Sequence, residues 1–270
     1  MPELPDVEWV ARRLRRSIGG RRVTRIEIRD RSVVRSPSPR LFAGRLRGRR
    51  IRTVGRRGKY LLVYLDGDLV IVGHLRMTGD FAVVPRHEPL RPHTRLVLGL
   101  GAGDLRFVDQ RRFGHVDVIA ARELETFRGL RTLGVEPLTP AFSLARLRAL
   151  IDDRRGTLKG FLLRQDLIAG IGNIYADEIL FQARLHPARP LRSLRPAQVR
   201  ALHRAVRAAL RRGVAALARR GRAIGRRSSV REGDLVAVRE KGGACPRCGG
   251  PLRIAAVAGR TTYFCPRCQR

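Results

Sequence analysis

The four cysteines are the feature that most constrains what this chain can fold into. They are Cys245, Cys248, Cys265 and Cys268, with the spacing C-x2-C-x16-C-x2-C. Two CxxC pairs on facing turns supply four thiolates tetrahedrally to one zinc ion, and the gap between the pairs fits a β-hairpin. Disulfides are the alternative, which this spacing in an intracellular protein disfavours. The pattern predicts one structural Zn²⁺ with no open position for catalysis, and a hairpin whose tip carries Arg260 within reach of a phosphate or a reacting sugar.

The charge of the chain indicates a polyanionic partner. Its 270 residues include 57 Lys and Arg against 23 Asp and Glu, a formal net charge of +34. An excess of one sign repels itself in the folded state, and a polyanion relieves this repulsion by releasing its counterions. Nucleic acid is the usual partner of this kind, and we expect no membrane because no anchor, lipidation signal or long apolar run accompanies the charge. The N-terminus lacks a signal pattern, so we expect an intracellular, cytoplasmic location.

The hydrophobic pattern changes character once along the chain. The opening segment predicts a helix with one apolar face. From about Val23 to Ala120, short apolar runs alternate with Gly, Asp and Pro turn signals, which predicts antiparallel strands. After Gly134 the period becomes helical, through Ser143–Ile151, Tyr175–Arg184 and Pro196–Arg220. The pattern predicts an α+β protein with an N-terminal helix, a sheet-rich domain of antiparallel strands and a helical domain that is followed by the cysteine-bearing end.

The start of the chain offers a nucleophile. An initiator methionine before proline is normally removed, which leaves Pro2 with a free secondary amine. An α-amino group is less basic than a lysine amine, so part of it is neutral and nucleophilic at neutral pH. Attack on a sugar C1′ would give an iminium ion, and the adjacent Glu3 is placed to act as a general acid or base. The alternative is a proline that simply begins the first helix.

Four further segments carry candidate residues. Lys59 lies in RRGKYLLVYL at a strand end, where an exposed charge is the ordinary alternative. Asn173 lies in GIGNIYADE, a glycine turn before a helix that suits either phosphate binding or an N-cap. Arg111 and Phe113 lie in DQRRFG. This basic and aromatic cluster is suited to insertion into a duplex, and the alternative is that it simply ends a strand. Met77 lies in HLRMTG, where core packing is the default.

Together these segments resemble the formamidopyrimidine-DNA glycosylase family (Fpg/MutM, with the related Nei branch). The matching stretches are MPELPDVE, RRGKYLL, HLRMTG, DQRRFG, GIGNIYADE and CPRCGG…GRTTYFCPRCQ, and they span residues 2–269 in the family's order. The resemblance implies an N-terminal antiparallel β-sandwich with an N-terminal helix, joined by a hinge near residues 125–135 to a helical domain that carries the zinc hairpin. It divides the chain into three domains. These are an N-terminal β-sandwich catalytic domain over 1–125, a helix–two-turn–helix DNA-binding domain over 132–228 and an Fpg-type zinc finger over 236–270.

The resemblance also implies an activity, that of a bifunctional DNA glycosylase and AP lyase of base excision repair. Its partner would be damaged double-stranded DNA, bound by a monomer. Pro2 would attack C1′ of the damaged nucleotide, expel the base and form a Schiff base, with Glu3 as the proton donor. Lys59 would support β-elimination, and Arg260 the δ-elimination that follows.

Two sets of DNA contacts follow from the same resemblance. The phosphate contacts expected around an extruded nucleotide are His93, Arg111, Arg154, Lys159 and Asn173. The wedge expected to fill the vacated stack consists of Met77, Arg111 and Phe113.

Some positions depart from the family's pattern. Asp6 stands where Glu is more usual, and Arg95 where a second histidine often follows His93. The segment from Arg219 to Asp234 is altered and shortened, in a region that folds over the flipped base in members directed at 8-oxoguanine. We expect oxidised purines as substrates (8-oxoguanine and formamidopyrimidines), with a Nei-like preference for oxidised pyrimidines as the alternative.

Two non-enzymatic interpretations are weaker. A damage-binding protein without activity would lack its nucleophile or its acid, whereas Pro2, Glu3, Lys59 and Arg260 are all present. An RNA-binding zinc-finger protein would explain the charge and the cysteines but not the N-terminal PELP.

Overall fold

The computed structural model describes residues 1–152, 154–220, 238–239 and 242–270. They form two compact units, one with residues 1–2 and 6–131, the other with residues 3–5, 132–220 and the described residues beyond. The altered segment of 219–234 lies outside the described residues from position 221 onward. No described helix combines the length and the apolar character that a membrane span requires.

The first unit consists of one long helix, one short helix and two sheets. In chain order, the elements before residue 131 are α1 (Leu4–Ile18), β1 (Arg25–Ile28), β2 (Val34–Ser36), α2 (Pro39–Leu46), β3 (Ile51–Arg57), β4 (Tyr60–Leu65), β5 (Leu69–His74), β6 (Asp80–Pro85), β7 (Thr94–Gly99), β8 (Gly103–Val108) and β9 (His115–Ala120). Along α1 the predicted apolar face is confirmed, because Val7, Val10, Leu14 and Ile18 are buried at helical spacing.

The two sheets confirm the predicted sandwich, with one exception to its antiparallel pairing. Four strands follow the order β1-β7-β8-β6 and five the order β2-β9-β5-β4-β3. The edge strand β2 pairs with β9 in parallel, whereas the other paired strands are antiparallel. The sheets approach closely where Gly73 of β5 faces Phe81 of β6, because a Cβ at Gly73 would lie 3.2 Å from that ring.

The second unit is built around a buried central helix. Its elements are α3 (Leu144–Ile151), α4 (Leu158–Leu163), α5 (Asn173–Ala183), α6 (Pro196–Arg220), β10 (Arg253–Val257) and β11 (Arg260–Phe264). Seven consecutive residues of α5, 175–181, are buried. Helix α5 approaches α6 so closely that a Cβ at Gly213 would lie 2.1 Å from the Tyr175 hydroxyl oxygen. Three helices match the predicted segments, whereas α4 has only six residues and was not predicted.

The hairpin between the cysteine pairs has the predicted form. Strands β10 and β11 pair antiparallel from Arg253↔Phe264 to Val257↔Arg260. The two residues between them, Ala258 and Gly259, both have positive φ, as a tight two-residue hairpin turn requires. Arg260 is therefore the first residue after the turn, on the side of the hairpin away from the cysteines.

Candidate active site

Glu3 is held by the backbone of the segment that opens α5. Its Oε2 accepts hydrogen bonds from the Gly172 N–H at 2.8 Å and the Tyr175 N–H at 3.1 Å. Its Oε1 accepts one from the Ile174 N–H at 2.8 Å. Helix N-termini leave such N–H groups unpaired and favour a carboxylate, so Glu3 caps a helix that begins 170 residues further along the chain.

Two glycines of GIGN are required by this arrangement. A Cβ on Gly172 would lie 2.4 Å from the Glu3 Cδ, a distance that carbon atoms do not tolerate. Gly170 has φ +92°, and a Cβ there would lie 2.7 Å from the Leu4 Cβ. The Leu4 N–H also donates to the Gly170 carbonyl at 3.0 Å. The two glycines therefore leave the space that Glu3 and Leu4 occupy, a role that the sequence pattern did not reveal.

Asn173 is not the N-cap of α5, one of its two predicted roles. Gly172 occupies that position without a side chain, and the cap is supplied by Glu3. The Asn173 Nδ2 instead donates to the Thr261 carbonyl of β11 at 3.0 Å. This bond ties the start of α5 to the strand that carries Arg260.

Lys159 requires a correction, because the structure does not leave its ammonium group at the surface. The side chain is fully buried, and Nζ donates to the Asp177 Oδ1 at 2.5 Å and to the Thr262 Oγ1 at 2.7 Å. A third, longer bond reaches the Thr261 carbonyl at 3.3 Å. All three ammonium protons therefore have partners inside the protein, which conflicts with the predicted phosphate contact. Burial lowers the pKa of Lys159, and the Asp177 carboxylate opposes that shift.

The four cysteines form the structural zinc site that their spacing predicts. Their sulfur atoms all lie within 4.8 Å of one another. The Sγ atoms of Cys248 and Cys265 are 3.6 Å apart, and those of Cys245 and Cys268 are 4.0 Å apart. Tetrahedral coordination with Zn–S bonds of about 2.3 Å places the sulfurs about 3.8 Å apart, so the four thiolates fit one zinc ion.

In the first unit, the predicted wedge residues lie on two loops joined by one carboxylate. Asp109, which is fully buried, accepts a hydrogen bond from the Thr78 hydroxyl through Oδ1, and one from the Gly114 N–H at 2.7 Å through Oδ2. The Arg111 N–H donates to the Thr78 Oγ1 at 3.1 Å. Asp109 and Thr78 thus fix the DQRRFG loop to the loop that carries Met77.

The wedge side chains themselves are presented outward. Phe113 is 49% exposed and Met77 is 38% exposed, which overturns core packing as the role of Met77. The Arg111 guanidinium lies over the Phe113 ring, 4.8 Å from its centroid. An exposed aromatic ring, a cation stacked on it and an exposed methionine are suited to contact with bases.

His93 and Arg95 lie beside the same loop. His93 is exposed, with φ +65°, and its carbonyl accepts a hydrogen bond from the Asp109 N–H at 3.0 Å. Arg95 is one of the departures from the expected pattern, and its Nε donates to the Asp109 carbonyl at 2.9 Å. The Arg95 Nη1 also lies 3.7 Å from the Asp30 Oδ2. The departure at position 95 therefore supplies a brace for the wedge loop.

The remaining predicted residues fall in both units. Pro2 and Lys59 belong to the first, and both are buried. Lys59 lies in the turn between β3 and β4 and is only 7% exposed, so it is not an exposed strand-end charge. Arg154, in the second unit, is half-buried and lines a pocket with Arg155 and Arg164. Within the second unit the structure brings together Glu3, Asn173, Lys159 and the strand of Arg260.

A basic cavity of about 600 Å³ in the first unit contains strongly perturbed titratable groups. Arg35, Arg76 and Arg128 line it together with His115 and Asp117. Burial lowers the pKa of His115 to about 4, with Arg35 and Arg76 adding to the shift. Burial also raises the pKa of Asp117 to about 6. Among the described residues, His115 Nδ1 and Asp117 Oδ2 are buried without a hydrogen-bond partner.

Comparisons with known proteins agree with this geometry. Family models match in chain order: the formamidopyrimidine-DNA glycosylase N-terminal domain over residues 1–116, the H2TH domain of the same enzymes over 133–222, and the zinc finger found in FPG and IleRS over 242–270. The formamidopyrimidine-DNA glycosylase of Moorella thermoacetica is 46% identical over 257 residues, 93% of each protein. The chain belongs to the formamidopyrimidine-DNA glycosylase family.

A second relative and two solved structures extend the match to the whole chain. The glycosylase of Geobacillus kaustophilus is 40% identical over the full length of both chains. Lactococcus lactis Fpg, in a complex with DNA containing an oxidised pyrimidine, is 31% identical and superposes over 100% of both chains with a TM-score of 0.89. Its complex with DNA containing an abasic site superposes with a TM-score of 0.90.

Several residues that organise the site were not predicted. Asp109, Asp177 and Arg239 each join segments that are far apart in sequence. Their bonds arise from tertiary packing, and neither periodicity nor spacing reports such contacts. The only signal available was the position of Asp109 and Asp177 inside the matching stretches DQRRFG and GIGNIYADE.

Proposed function

We propose that this protein is a bifunctional DNA glycosylase and AP lyase of base excision repair that acts through a Schiff base at Pro2. The observation that carries the proposal is the attachment of Glu3 to three backbone N–H groups. Because Pro2 directly precedes Glu3, this anchor also restricts where the secondary amine lies. A nucleophile and a carboxyl group held at adjacent residues match the chemistry of the family.

The proposed reaction opens the sugar ring and breaks the glycosidic, C3′–O3′ and C5′–O5′ bonds in turn. The Pro2 amine attacks C1′, the glycosidic bond breaks, and the oxidised base leaves with the proton that the amine gives up. Glu3 gives a proton to the sugar O4′ as the ring opens, and the nitrogen then forms an iminium with C1′. The iminium acidifies the C2′ proton, whose loss breaks the C3′–O3′ bond with help from Lys59. A second elimination breaks the C5′–O5′ bond near Arg260, and phosphate ends remain.

DNA binding in this proposal uses the charge of the chain and the two wedge loops. The partner is damaged double-stranded DNA, held by a monomer in the cytoplasm. Extruding a nucleotide takes a few kcal/mol, which an inserted side chain and contacts to phosphates offset. We assign the wedge to Met77, Arg111 and Phe113. We assign the phosphate contacts to His93, Arg111, Arg154 and Asn173, without Lys159.

The proposed lesions are oxidised purines, 8-oxoguanine and formamidopyrimidines. Oxidised pyrimidines are the second candidate, because the Lactococcus lactis relative has been solved with DNA that contains one. The proposal keeps the three-domain assignment of 1–125, 132–228 and 236–270.

A strand-cleavage assay on four duplexes tests the proposal. The duplexes carry 8-oxoguanine opposite cytosine, thymine glycol, an abasic site, or no lesion. We expect cleavage at 8-oxoguanine faster than at thymine glycol, cleavage at the abasic site, and none without a lesion. Pro2→Gly, which replaces the secondary amine by a primary one, should be strongly impaired. A wild-type protein with zinc bound and Met1 removed that cleaves none of the lesion duplexes would overturn the proposed activity, and faster cleavage at thymine glycol would overturn the lesion assignment.

A further inference from the structure

Asp177 is a buried carboxylate on the central helix α5, and the proposed chemistry does not use it. It is fully buried, which is strongly unfavourable for a carboxylate without partners. Three donors from three separate segments satisfy it. They are Lys159 Nζ of α4 at 2.5 Å on Oδ1, and Arg239 Nε at 2.9 Å and the Tyr263 N–H of β11 at 3.2 Å, both on Oδ2.

The same groups converge a second time, on the backbone of β11. The Thr261 carbonyl accepts hydrogen bonds from Asn173 Nδ2 at 3.0 Å, Arg239 Nη2 at 3.2 Å and Lys159 Nζ at 3.3 Å. Lys159 also donates to the Thr262 hydroxyl at 2.7 Å. Three consecutive residues, 261–263, are therefore fixed to the helical core through one buried cluster of charges.

Zinc alone cannot fix this part of the hairpin. Cys265 directly follows β11 at the zinc site, whereas Arg260 begins the strand beside the turn. The two residues are five steps apart along the strand, a span of about 16 Å. Side chains alternate along a strand, so Arg260 lies on the same face as Thr262, which is fully buried against the Lys159 ammonium. The anchor next to Arg260 is thus the charge cluster.

We propose that Asp177 is a positioning residue that fixes β11 and thereby sets where Arg260 presents its guanidinium group. This inference rests on the proposed function, because it assigns Arg260 to the second elimination. Without the Asp177 charge, the buried Lys159 ammonium and the half-buried Arg239 guanidinium lose their shared anion, and the Tyr263 N–H of the strand loses its charged acceptor. The first elimination, which the proposal assigns to Lys59 in the other unit, does not depend on this strand.

The ratio of β-elimination to δ-elimination products formed from an abasic-site duplex tests the inference. We expect Asp177→Asn, with zinc bound, to perform β-elimination at a rate within about three-fold of the wild-type rate. Its δ-elimination should be about ten-fold slower than that of the wild type, so that the unsaturated aldehyde end accumulates. The matched control is Glu178→Gln, the neighbouring buried carboxyl group, which contacts Gln182 and Arg212 rather than β11. The ratio of the two elimination products formed by Glu178→Gln should equal that of the wild type.

A double-mutant cycle with Arg260→Ala separates positioning from general damage. If Asp177 acts through Arg260, Asp177→Asn should slow δ-elimination no further in the Arg260→Ala background. Thr262→Val, which removes the hydroxyl that accepts from Lys159 and donates to the Arg260 carbonyl at 2.9 Å, should shift the ratio of products in the same direction and tests the anchoring of β11 if Asp177→Asn does not fold. Equal slowing of both eliminations, or additive losses with Arg260→Ala, would overturn the positioning role alone. A wild-type enzyme that cleaves no abasic-site duplex would overturn the proposed function and this inference together.

Discussion

Replacing Glu3 with glutamine removes an acceptor that three buried backbone donors share. Gly172 and Tyr175 donate to one carboxylate oxygen and Ile174 to the other. Glutamine keeps the shape but has one acceptor oxygen, so its NH₂ group faces at least one backbone N–H. A buried donor left without an acceptor costs about 1–3 kcal/mol, and Gly172 has no side chain that could take over as the cap. We expect the free energy of unfolding to fall by about 2 kcal/mol.

Urea denaturation followed by far-UV circular dichroism measures this change, because the described helices after residue 131 report on the second unit. The matched control is Glu125→Gln, an exposed glutamate of the first unit, which should change the free energy of unfolding by less than about 0.5 kcal/mol. Should Glu3→Gln be as stable as this control, the carboxylate does not satisfy the three N–H groups and the anchoring of the N-terminus is wrong. A loss of strand cleavage by Glu3→Gln at urea concentrations where this variant remains folded would report on the catalytic role of Glu3, separately from its effect on stability.

Three further predictions follow from the structure. Asp117→Asn should raise the free energy of unfolding near pH 7 by on the order of 1 kcal/mol, because burial raises the pKa of this carboxyl from an ordinary 3.8 to about 6 and solvent screening reduces the cost of its charge above pH 6. The gain should shrink as the pH falls through that window towards 4, where both states are protonated, and a gain independent of pH in urea titrations would contradict it. Phe113→Ala should leave stability within about 1 kcal/mol, since the ring is half exposed, yet weaken binding to a lesion duplex by about 1–3 kcal/mol in fluorescence anisotropy. Removal of zinc by a chelator should release one equivalent of metal and abolish strand cleavage, and an apoprotein of full activity would show that the hairpin does not need its metal.

Local patterns in the sequence predicted the local parts of this structure. The zinc hairpin was predictable because each CxxC pair lies within one turn and the intervening length suits two short strands. Helix α1 and the three longer helices of the second unit were predictable from their apolar period. Helix α4 was not, because six residues span fewer than two turns and show no clear period.

Contacts between distant segments explain the errors. Lys159 was assigned to a phosphate from the family resemblance alone, and nothing in the local sequence shows that Asp177 and β11 enclose it. The parallel pairing of β2 with β9 joins residues about 80 positions apart and has no local signal. Glu3 was identified as a candidate acid, yet its partners at positions 172–175 became visible only in the fold.

The most direct test of the central claim is borohydride trapping followed by peptide mapping. Reduction during the reaction with an 8-oxoguanine duplex should leave the sugar remnant covalently bound to the protein. After tryptic digestion, mass spectrometry should place the remnant on the peptide of residues 2–12, at the Pro2 nitrogen. Attachment to Lys59 instead, or no adduct while cleavage proceeds, would contradict a Schiff base at Pro2.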